Sequence, residues 1–301
     1  MSEVRLDGRV ALVTGAGGGL GRSHALSFAQ RGAKVVVNDL GGSFKGEGAD
    51  KSAADKVVDE IKAMGGEAIA NYDSVSDTAG AEAMVKATLD AFGQIDILVN
   101  NAGILRDISF MKMSEDDWNK VIAVHLTGSY LVTKAAWPHM REKNYGRVIF
   151  TTSAAGLYGN FGQTNYSAAK LGIVGIANTL KAEGERYNIK VSTIAPIAAS
   201  RMTETILPPN ILEKLQPEFV SALVTYLASE QFDDSGAVYA TGGGYYSRVE
   251  LVEGQGVGID SDKVSPEEIV ANWDKINDMS KARPFGNAME ATAGAFANLK
   301  M

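Results

Sequence analysis

The sequence predicts an α/β fold with a mostly parallel, doubly wound sheet of about seven strands covered by helices on both faces. Short Val- and Ile-rich runs alternate with longer segments of helical period, the pattern of repeated strand-helix-strand units. With 301 residues and 45% hydrophobic content, the chain can bury one large core without splitting. Strands are predicted at Val10–Val13, Lys34–Asn38, Glu67–Tyr72, Ile95–Val99, Arg147–Thr151 and Lys190–Ile194, with a weaker seventh near Ala237–Thr241. Helices are predicted to begin near Leu20, Asp50, Asp77, Asp116, Tyr166 and Pro217. Right-handed crossovers place them on alternate faces and gather the strand ends on one edge. Ligands in such sheets bind outside the carboxyl ends of the strands, where the winding reverses, so the loops after the strands are the place to seek chemistry.

From about Arg248 the composition changes. Gly254-Gln255-Gly256-Val257-Gly258 reads as a turning stretch, and Ser265-Pro266-Glu267-Glu268 reads as a helix start: Ser as N-cap, Pro at the first position, Glu three after the cap. The expected organisation is therefore a main domain over 1–248 and a helical C-terminal extension over 249–301 packed on it. Ile269, Trp273 and Ile276 are expected to serve core packing there, with the roof of an apolar trough as the other use.

The formal charge of -7 argues against a nucleic-acid groove or an anionic membrane surface as partner, since both want clustered Lys and Arg. With no cysteine, disulfides, thiolate nucleophiles and Cys-based metal sites are excluded, and no metal is expected. No stretch approaches the roughly 20 apolar residues of a membrane span, and the N-terminus carries no apolar run after its charges, so a soluble, non-secreted protein is expected.

The first strand runs into Thr14-Gly15-Ala16-Gly17-Gly18-Gly19-Leu20-Gly21, and a helix follows. Glycines at 15, 19 and 21 let backbone approach a pyrophosphate, which sits on the N–H groups and positive end of that helix. The spacing is Gly-x3-Gly-x-Gly, and taken alone it equally describes a tight strand-to-helix connection. The second strand ends in Val37-Asn38-Asp39, near where a dinucleotide site places an acid on the adenine ribose hydroxyls. A carboxylate there repels a 2′-phosphate, and no basic residue stands between Gly15 and Gly21, so the expected cofactor is NAD rather than NADP.

Tyr166-Ser167-Ala168-Ala169-Lys170 opens a helical segment, and residues four apart share a face. Tyrosine titrates near pH 10 and becomes a base near neutrality only if something favours phenolate; a neighbouring ammonium and a positive nicotinamide ring both do. The fifth strand ends in Thr151-Thr152-Ser153, so that a glycine-rich loop can bring the Ser153 and Tyr166 hydroxyls to one substrate oxygen. The fourth strand ends in Asn100-Asn101-Ala102-Gly103, where side-chain amides brace the sheet edge and small residues leave room for a ligand.

In this order, the glycine loop from Thr14 to Gly21, Asn100 to Gly103, Ser153 and Tyr166-x3-Lys170 resemble the short-chain dehydrogenase/reductase family over roughly residues 7 to 245. The resemblance implies a Rossmann-type fold and a mechanism in which Tyr166 takes the alcohol proton and Ser153 binds the substrate oxygen. Lys170 lowers the Tyr166 pKa and, with Tyr166, contacts the nicotinamide ribose. It implies cofactor contacts from Gly15, Gly19, Leu20, Gly21 and Asp39, with Asp73 on the adenine amine beside Ser74 and Val75. Asn101, Ala102 and Gly103 lie along the ribose, and Pro196, Ala199 and Thr203 flank the nicotinamide.

Two departures stand out. Val124-His125-Leu126-Thr127-Gly128 has His where the family has Asn, so His125 either relays protons through water to Lys170 or is a core histidine satisfied by backbone. Pro196-Ile197 replaces the common Pro-Gly.

More particular strings, including Asn38-Asp39-Leu40-Gly41-Gly42, Asn101 to Asp107, His125 itself and Tyr158 to Gln163, resemble the subgroup of the family that oxidises D-3-hydroxyacyl thioesters in peroxisomal β-oxidation. That implies NAD-dependent conversion of (3R)-3-hydroxyacyl-CoA to 3-ketoacyl-CoA, a homodimer, a peroxisomal setting (cytoplasmic if bacterial) and a hydratase domain in a longer native protein. The alternatives are a 3-oxoacyl carrier-protein or steroid reductase of the same family, or a non-catalytic NAD-binding interaction module.

Overall fold

Along each central strand, successive apolar residues feed opposite faces. Ala11, Val13, Val35, Val37, Ile97 and Val99 pack into one buried cluster, while Leu12, Val36, Leu98, Val148 and Phe150 pack into the other. A strand buried on both faces needs apolar residues throughout, which is why these strands read as continuous Val- and Ile-rich runs. The computed structural model describes residues 3–43, 45–48, 50–198, 208–260 and 262–297. Its strands are β1 (Val10–Thr14), β2 (Lys34–Asn38), β3 (Ala68–Asn71), β4 (Ile97–Asn100), β5 (Gly146–Thr151), β6 (Ile189–Pro196), β7 (Val238–Gly242) and β8 (Tyr245–Val249).

They form one sheet in the order β3-β2-β1-β4-β5-β6-β7-β8, parallel from β3 through β7. The winding reverses between β1 and β4, where this architecture opens its ligand crevice. Among the described residues the sheet thus has eight strands, the seven expected and one more. The eighth follows a two-residue turn, Gly243-Gly244, both at positive φ (56° and 82°), a conformation that favours glycine and reverses a chain tightly. β8 shows no buried residue, so it lacks the apolar alternation by which the others are recognised. Elsewhere the expected ends shift by up to two residues; β3, for example, is Ala68–Asn71 where Glu67–Tyr72 is predicted.

The helices of the main unit are α1 (Gly19–Gln30), α2 (Ser52–Ala63), α3 (Thr78–Phe92), α4 (Glu115–Ile122), α5 (Gly128–Lys143), α6 (Ala154–Tyr158), α7 (Thr164–Gly184), α8 (Pro209–Leu212) and α9 (Pro217–Ala228). Each expected start lies within two residues of an observed one, and the caps explain two of them. The Asp77 carboxylate accepts from Gly80 N at 2.7 Å. Ser114 and Asp117 form a reciprocal capping box at the start of α4. Between α4 and α5 the chain makes a π-helical turn at Ala123–Thr127, with His125 at its centre. No described helix is long and apolar enough to cross a membrane.

The chain divides into two compact units, Met1–Arg248 and Val249–Met301. The second contains α10 (Pro266–Ala271), α11 (Trp273–Ile276) and α12 (Ala288–Ala297). Ser265 caps α10 by accepting from Glu268 N at 3.1 Å, and a backbone bridge between Glu253 and Arg283 closes the intervening segment. No described residue of this unit is buried. Ile269 and Trp273, expected as core, are 40% and 56% exposed, because helices of six and four residues are too short to enclose a core between them.

Candidate active site

The glycine loop after β1 is shaped by close approach of backbone to backbone. A Cβ on Gly21 would lie 2.2 Å from the Gly15 carbonyl oxygen, and one on Gly15 would lie 2.7 Å from Ala102 Cα. Asn101 fastens this loop to the end of β4: its Nδ2 donates to the carbonyls of Thr14 (2.9 Å) and Gly15 (3.1 Å). The Thr14 hydroxyl accepts in turn from the backbone N–H groups of Asn101 and Ala102. Asn101 is therefore a brace for the glycine loop as well as part of the cavity wall. Gly18 meets nothing: a Cβ there would have no atom within 4 Å, so the loop leaves open space beside the N-terminus of α1.

Asp39, just past β2, closes this cradle. Its two oxygens accept from Gly17 N (2.8 Å) and Gly41 N (2.7 Å), leaving the remaining lone pairs for further donors. The nearby Arg22 is paired with Glu60 through two hydrogen bonds, so its charge is spent away from Asp39. At the adjoining strand ends Asn38, Asn71 and Asp73 form one network. Asn38 Nδ2 donates to Asn71 Oδ1 (2.8 Å) and to the Asp73 carbonyl (2.9 Å), while Asn71 Nδ2 donates to an Asp73 carboxylate oxygen (2.7 Å). This network turns the chain so that Asp73, Ser74 and Val75 face the same cavity.

The cavity has a volume of about 740 Å³ and runs without a break from Gly15 to the end of β6. At its far end stand Ser153, Tyr166 and Lys170. Ser153 caps α6, its Oγ accepting from Ala155 N at 3.2 Å. Tyr166 and Lys170 occupy one face of α7, and the Lys170 Nζ lies 5.5 Å from the centre of the Tyr166 ring. Lys170 is 3% exposed; its Nζ donates to the Thr151 carbonyl at 2.6 Å, and Thr152 Oγ1 donates to the Lys170 carbonyl at 2.6 Å. Burial alone lowers Lys170 to about 7. Thr151, whose carbonyl holds the ammonium, is a site residue that sequence motifs do not reveal, because the contact is made by backbone.

Tyr166 departs from the sequence expectation. Burial pushes its phenol up to about 12; the Ser153 hydrogen bond opposes the rise and the Asp107 carboxylate adds to it. Lys170 shares the face of Tyr166, but burial, which disfavours the charged form, is the largest influence on the phenol.

His125 is buried and edge-on to Tyr166, with ring centres 5.1 Å apart and planes at 88°. Its Nε2 lies 3.0 Å from the Ile104 N–H and 2.8 Å from the Ile104 carbonyl, accepting from the first in one tautomer and donating to the second in the other. Its Nδ1 is buried without a partner among the described residues. Burial, then the Lys170 charge, drive its pKa well below the ordinary value against the Ile104 hydrogen bond, so the ring is neutral. Of the two readings of the sequence, the backbone-anchored histidine describes Nε2, and Nδ1 remains the atom left for a water. Gly103 is explained by the same ring: a Cβ there would stand 2.3 Å from His125 Cε1.

Leu20, Gly19, Ala102, Gly103 and Pro196 all line the cavity, while Ala199 and Thr203 lie outside the described residues. Asn160 and Gln163, from the Tyr158 to Gln163 string, also line it, beside Tyr166, although the sequence assigns neither a role.

A crevice at the winding reversal, a glycine cradle at a helix start and a Ser, Tyr and Lys set beside it define a nicotinamide-dependent dehydrogenase. The chain belongs to the short chain dehydrogenase family, whose model matches residues 9–209. Within that family it is similar to peroxisomal multifunctional enzyme type 2 of Mus musculus, 54% identical over 295 residues that cover 97% of this chain and 40% of that protein. The solved full-length peroxisomal multifunctional enzyme type 2 of Drosophila melanogaster superposes with a TM-score of 0.83 at 44% identity, covering 97% of this chain and 49% of that one. The chain thus spans less than half the length of these relatives. A 7α-hydroxysteroid dehydrogenase solved with NADH and 7-oxo glycochenodeoxycholic acid superposes with a TM-score of 0.71 at 28% identity, covering 80% of this chain and 95% of that one.

Proposed function

We propose that this chain oxidises (3R)-3-hydroxyacyl-CoA to 3-ketoacyl-CoA with NAD as cofactor. The observation that carries the reading is that Ser153, Tyr166 and Lys170 share one cavity with the Asp39-closed glycine cradle, in a chain more than half identical to a peroxisomal multifunctional enzyme. Asp39 supports NAD over NADP: a carboxylate at the ribose end accepts hydroxyl protons and repels a 2′-phosphate, and Arg22 is committed to Glu60.

The residues present fit a dinucleotide. Gly18 leaves room at the start of α1, Asp39 keeps free lone pairs for ribose hydroxyls, and Lys170 keeps two N–H groups beyond the one given to Thr151. When bound, the nicotinamide ring supplies a hydride acceptor and a positive charge beside Tyr166. In this reading Ser153 Oγ donates to the substrate oxygen and Tyr166 Oη removes its proton. A phenol raised to about 12 holds its proton tightly at neutral pH, so phenolate forms only while a cation stands beside it. Lys170, lowered to about 7, is poised to gain or lose its proton near neutrality and so can follow the charge of the phenol. His125 holds Ile104 and the edge of the Tyr166 ring in place.

The names of the peroxisomal relatives support a peroxisomal setting; a homodimer, and a hydratase domain if the native protein is longer, are proposed with it. Incubating the protein with NAD or NADP and each enantiomer of a medium-chain 3-hydroxyacyl-CoA, while following reduced-cofactor absorbance, tests the reading. Turnover with NAD and the R enantiomer is expected. Turnover confined to the S enantiomer, to NADP, or to steroid or carrier-protein substrates overturns it.

A further inference from the structure

One polar chain in the cavity wall has no part in the acid–base scheme. Gln163 is 7% exposed, lines the cavity and immediately precedes α7 as its N-cap residue. Its amide makes no capping bond, which is what a polar side chain at this position ordinarily does. Instead it is held at both ends: Nε2 donates to an Asp107 carboxylate oxygen at 2.7 Å, and Oε1 accepts from Asn160 Nδ2 at 2.9 Å. The two bonds settle which end is oxygen and which is nitrogen, and they leave one Nε2 hydrogen for another acceptor. Tyr166 stands three residues on, so the two side chains are neighbours at the first turn of the helix, in the same cavity wall as Ser153.

Asp107 is placed with equal care. It lies in the segment after β4, where the Ile108 N–H donates to the Gly162 carbonyl at 2.8 Å and Asn165 Nδ2 donates to the Arg106 carbonyl at 3.2 Å. Both bonds fasten this segment to the start of α7. Arg106, the adjacent cation, is taken up by Asp116, Asp117 and Glu47, so Asp107 has the Gln163 amide as its hydrogen-bond partner. Partial burial raises the Asp107 carboxyl above its ordinary range, with Gln163 opposing the rise. The same carboxylate disfavours Tyr166 phenolate. A carboxylate that works against the base is understandable if its service is to orient the amide.

We propose that Gln163, oriented by Asp107 and Asn160, is a specificity-determining residue that donates to a carbonyl oxygen three bonds from the reacting carbon, with Asp107 as its positioning residue. Such an oxygen is the C1 carbonyl of a 3-hydroxyacyl or 3-oxoacyl thioester whose C3 oxygen lies on Ser153 and Tyr166. Isolated secondary alcohols lack it and leave a buried N–H unpaired. The proposal rests on the thioester reading of the site.

A matched pair of substrates isolates the carbonyl: (3R)-3-hydroxybutyryl-CoA and the thioether S-(3-hydroxybutyl)-CoA of the same configuration, in which a methylene replaces C1. The wild-type protein is expected to prefer the thioester in kcat/KM by roughly 10- to 100-fold, the range for leaving one buried donor unpaired. In Gln163→Leu and in the isosteric Gln163→Glu, which has no donor when ionised, the preference is expected to shrink to about 3-fold or less. NADH affinity, read by fluorescence, should stay within about twofold, showing an intact fold.

Asp107→Asn supplies a readout that a merely structural role does not move. The groups facing Tyr166 are Ser153, Lys170 and His125, all unchanged in this variant, so removing the Asp107 charge should displace the rising limb of kcat for oxidation to lower pH. An undiminished thioester preference in both Gln163 variants overturns the proposal while leaving the thioester reading intact. A wild-type protein that oxidises neither compound rejects both.

Discussion

Adding one methyl group at Gly103 should dislocate the wall that holds Tyr166. A Cβ at this position falls 2.3 Å from His125 Cε1, 3.0 Å from Nδ1 and 3.2 Å from Nε2, where carbon contacts normally lie at roughly 3.5 to 4 Å. The imidazole must retreat by about 1 Å to restore that spacing. Whichever bond its Nε2 makes to Ile104, accepting at 3.0 Å or donating at 2.8 Å, cannot survive such a shift within hydrogen-bond range. Overpacking costs about 1 to 3 kcal/mol and an unpaired buried ring nitrogen a similar amount, so Gly103→Ala should destabilise the protein by about 2 to 6 kcal/mol. Chemical denaturation of four proteins, the wild type, Gly103→Ala, His125→Ala and the double variant, measures the coupling. Once the ring is gone the added methyl has room, so the double variant should be more stable than the sum of the single changes by at least about 1 kcal/mol. Strict additivity, or a Gly103→Ala loss below about 0.5 kcal/mol, would refute the claim that the ring dictates this glycine.

Two further outcomes are expected. Asp39→Ala should weaken NAD binding roughly 10- to 100-fold and narrow the preference over NADP, read by cofactor titration; unchanged affinity would remove Asp39 from the cofactor site. Lys170, lowered from 10.5 to about 7, makes the unfolded chain bind more protons than the native one between those values. Its contribution to stability therefore rises with pH across that window and is least favourable below it. Lys170→Met should abolish that rise, on the order of a few kcal/mol, in denaturation curves collected from pH 6 to 10; an unaltered slope would mean the ammonium is not desolvated.

The main elements of the sheet are legible in the sequence because each strand buries both faces, and runs such as Val10–Val13 and Val35–Val37 have no other use for four or three apolar residues in a row. β8 is not legible for the same reason reversed: its residues stay partly or fully exposed and carry no apolar signature. At the site, the side chains that face the cavity are recognisable by type and order, as with Ser153, Tyr166, Lys170 and Asp39. What escapes is whatever backbone supplies or distant loops complete. The Thr151 carbonyl on Lys170, the Ile104 peptide on His125 and the link of Asp107 to Gln163, 56 positions apart, are of this kind. The direction of the Tyr166 shift was equally hidden. Spacing places an ammonium near a phenol, but only the packed structure shows how deeply the phenol is buried and that burial raises it.

The account stands most directly on Tyr166 as the group that accepts the substrate proton. Turnover of (3R)-3-hydroxyacyl-CoA with NAD, measured on wild-type protein and Tyr166→Phe alongside NADH binding to the same samples, puts it to the test. Removing one hydroxyl should lower kcat by about 10²- to 10⁴-fold while NADH binds as before. A Tyr166→Phe protein that keeps wild-type turnover would contradict the account.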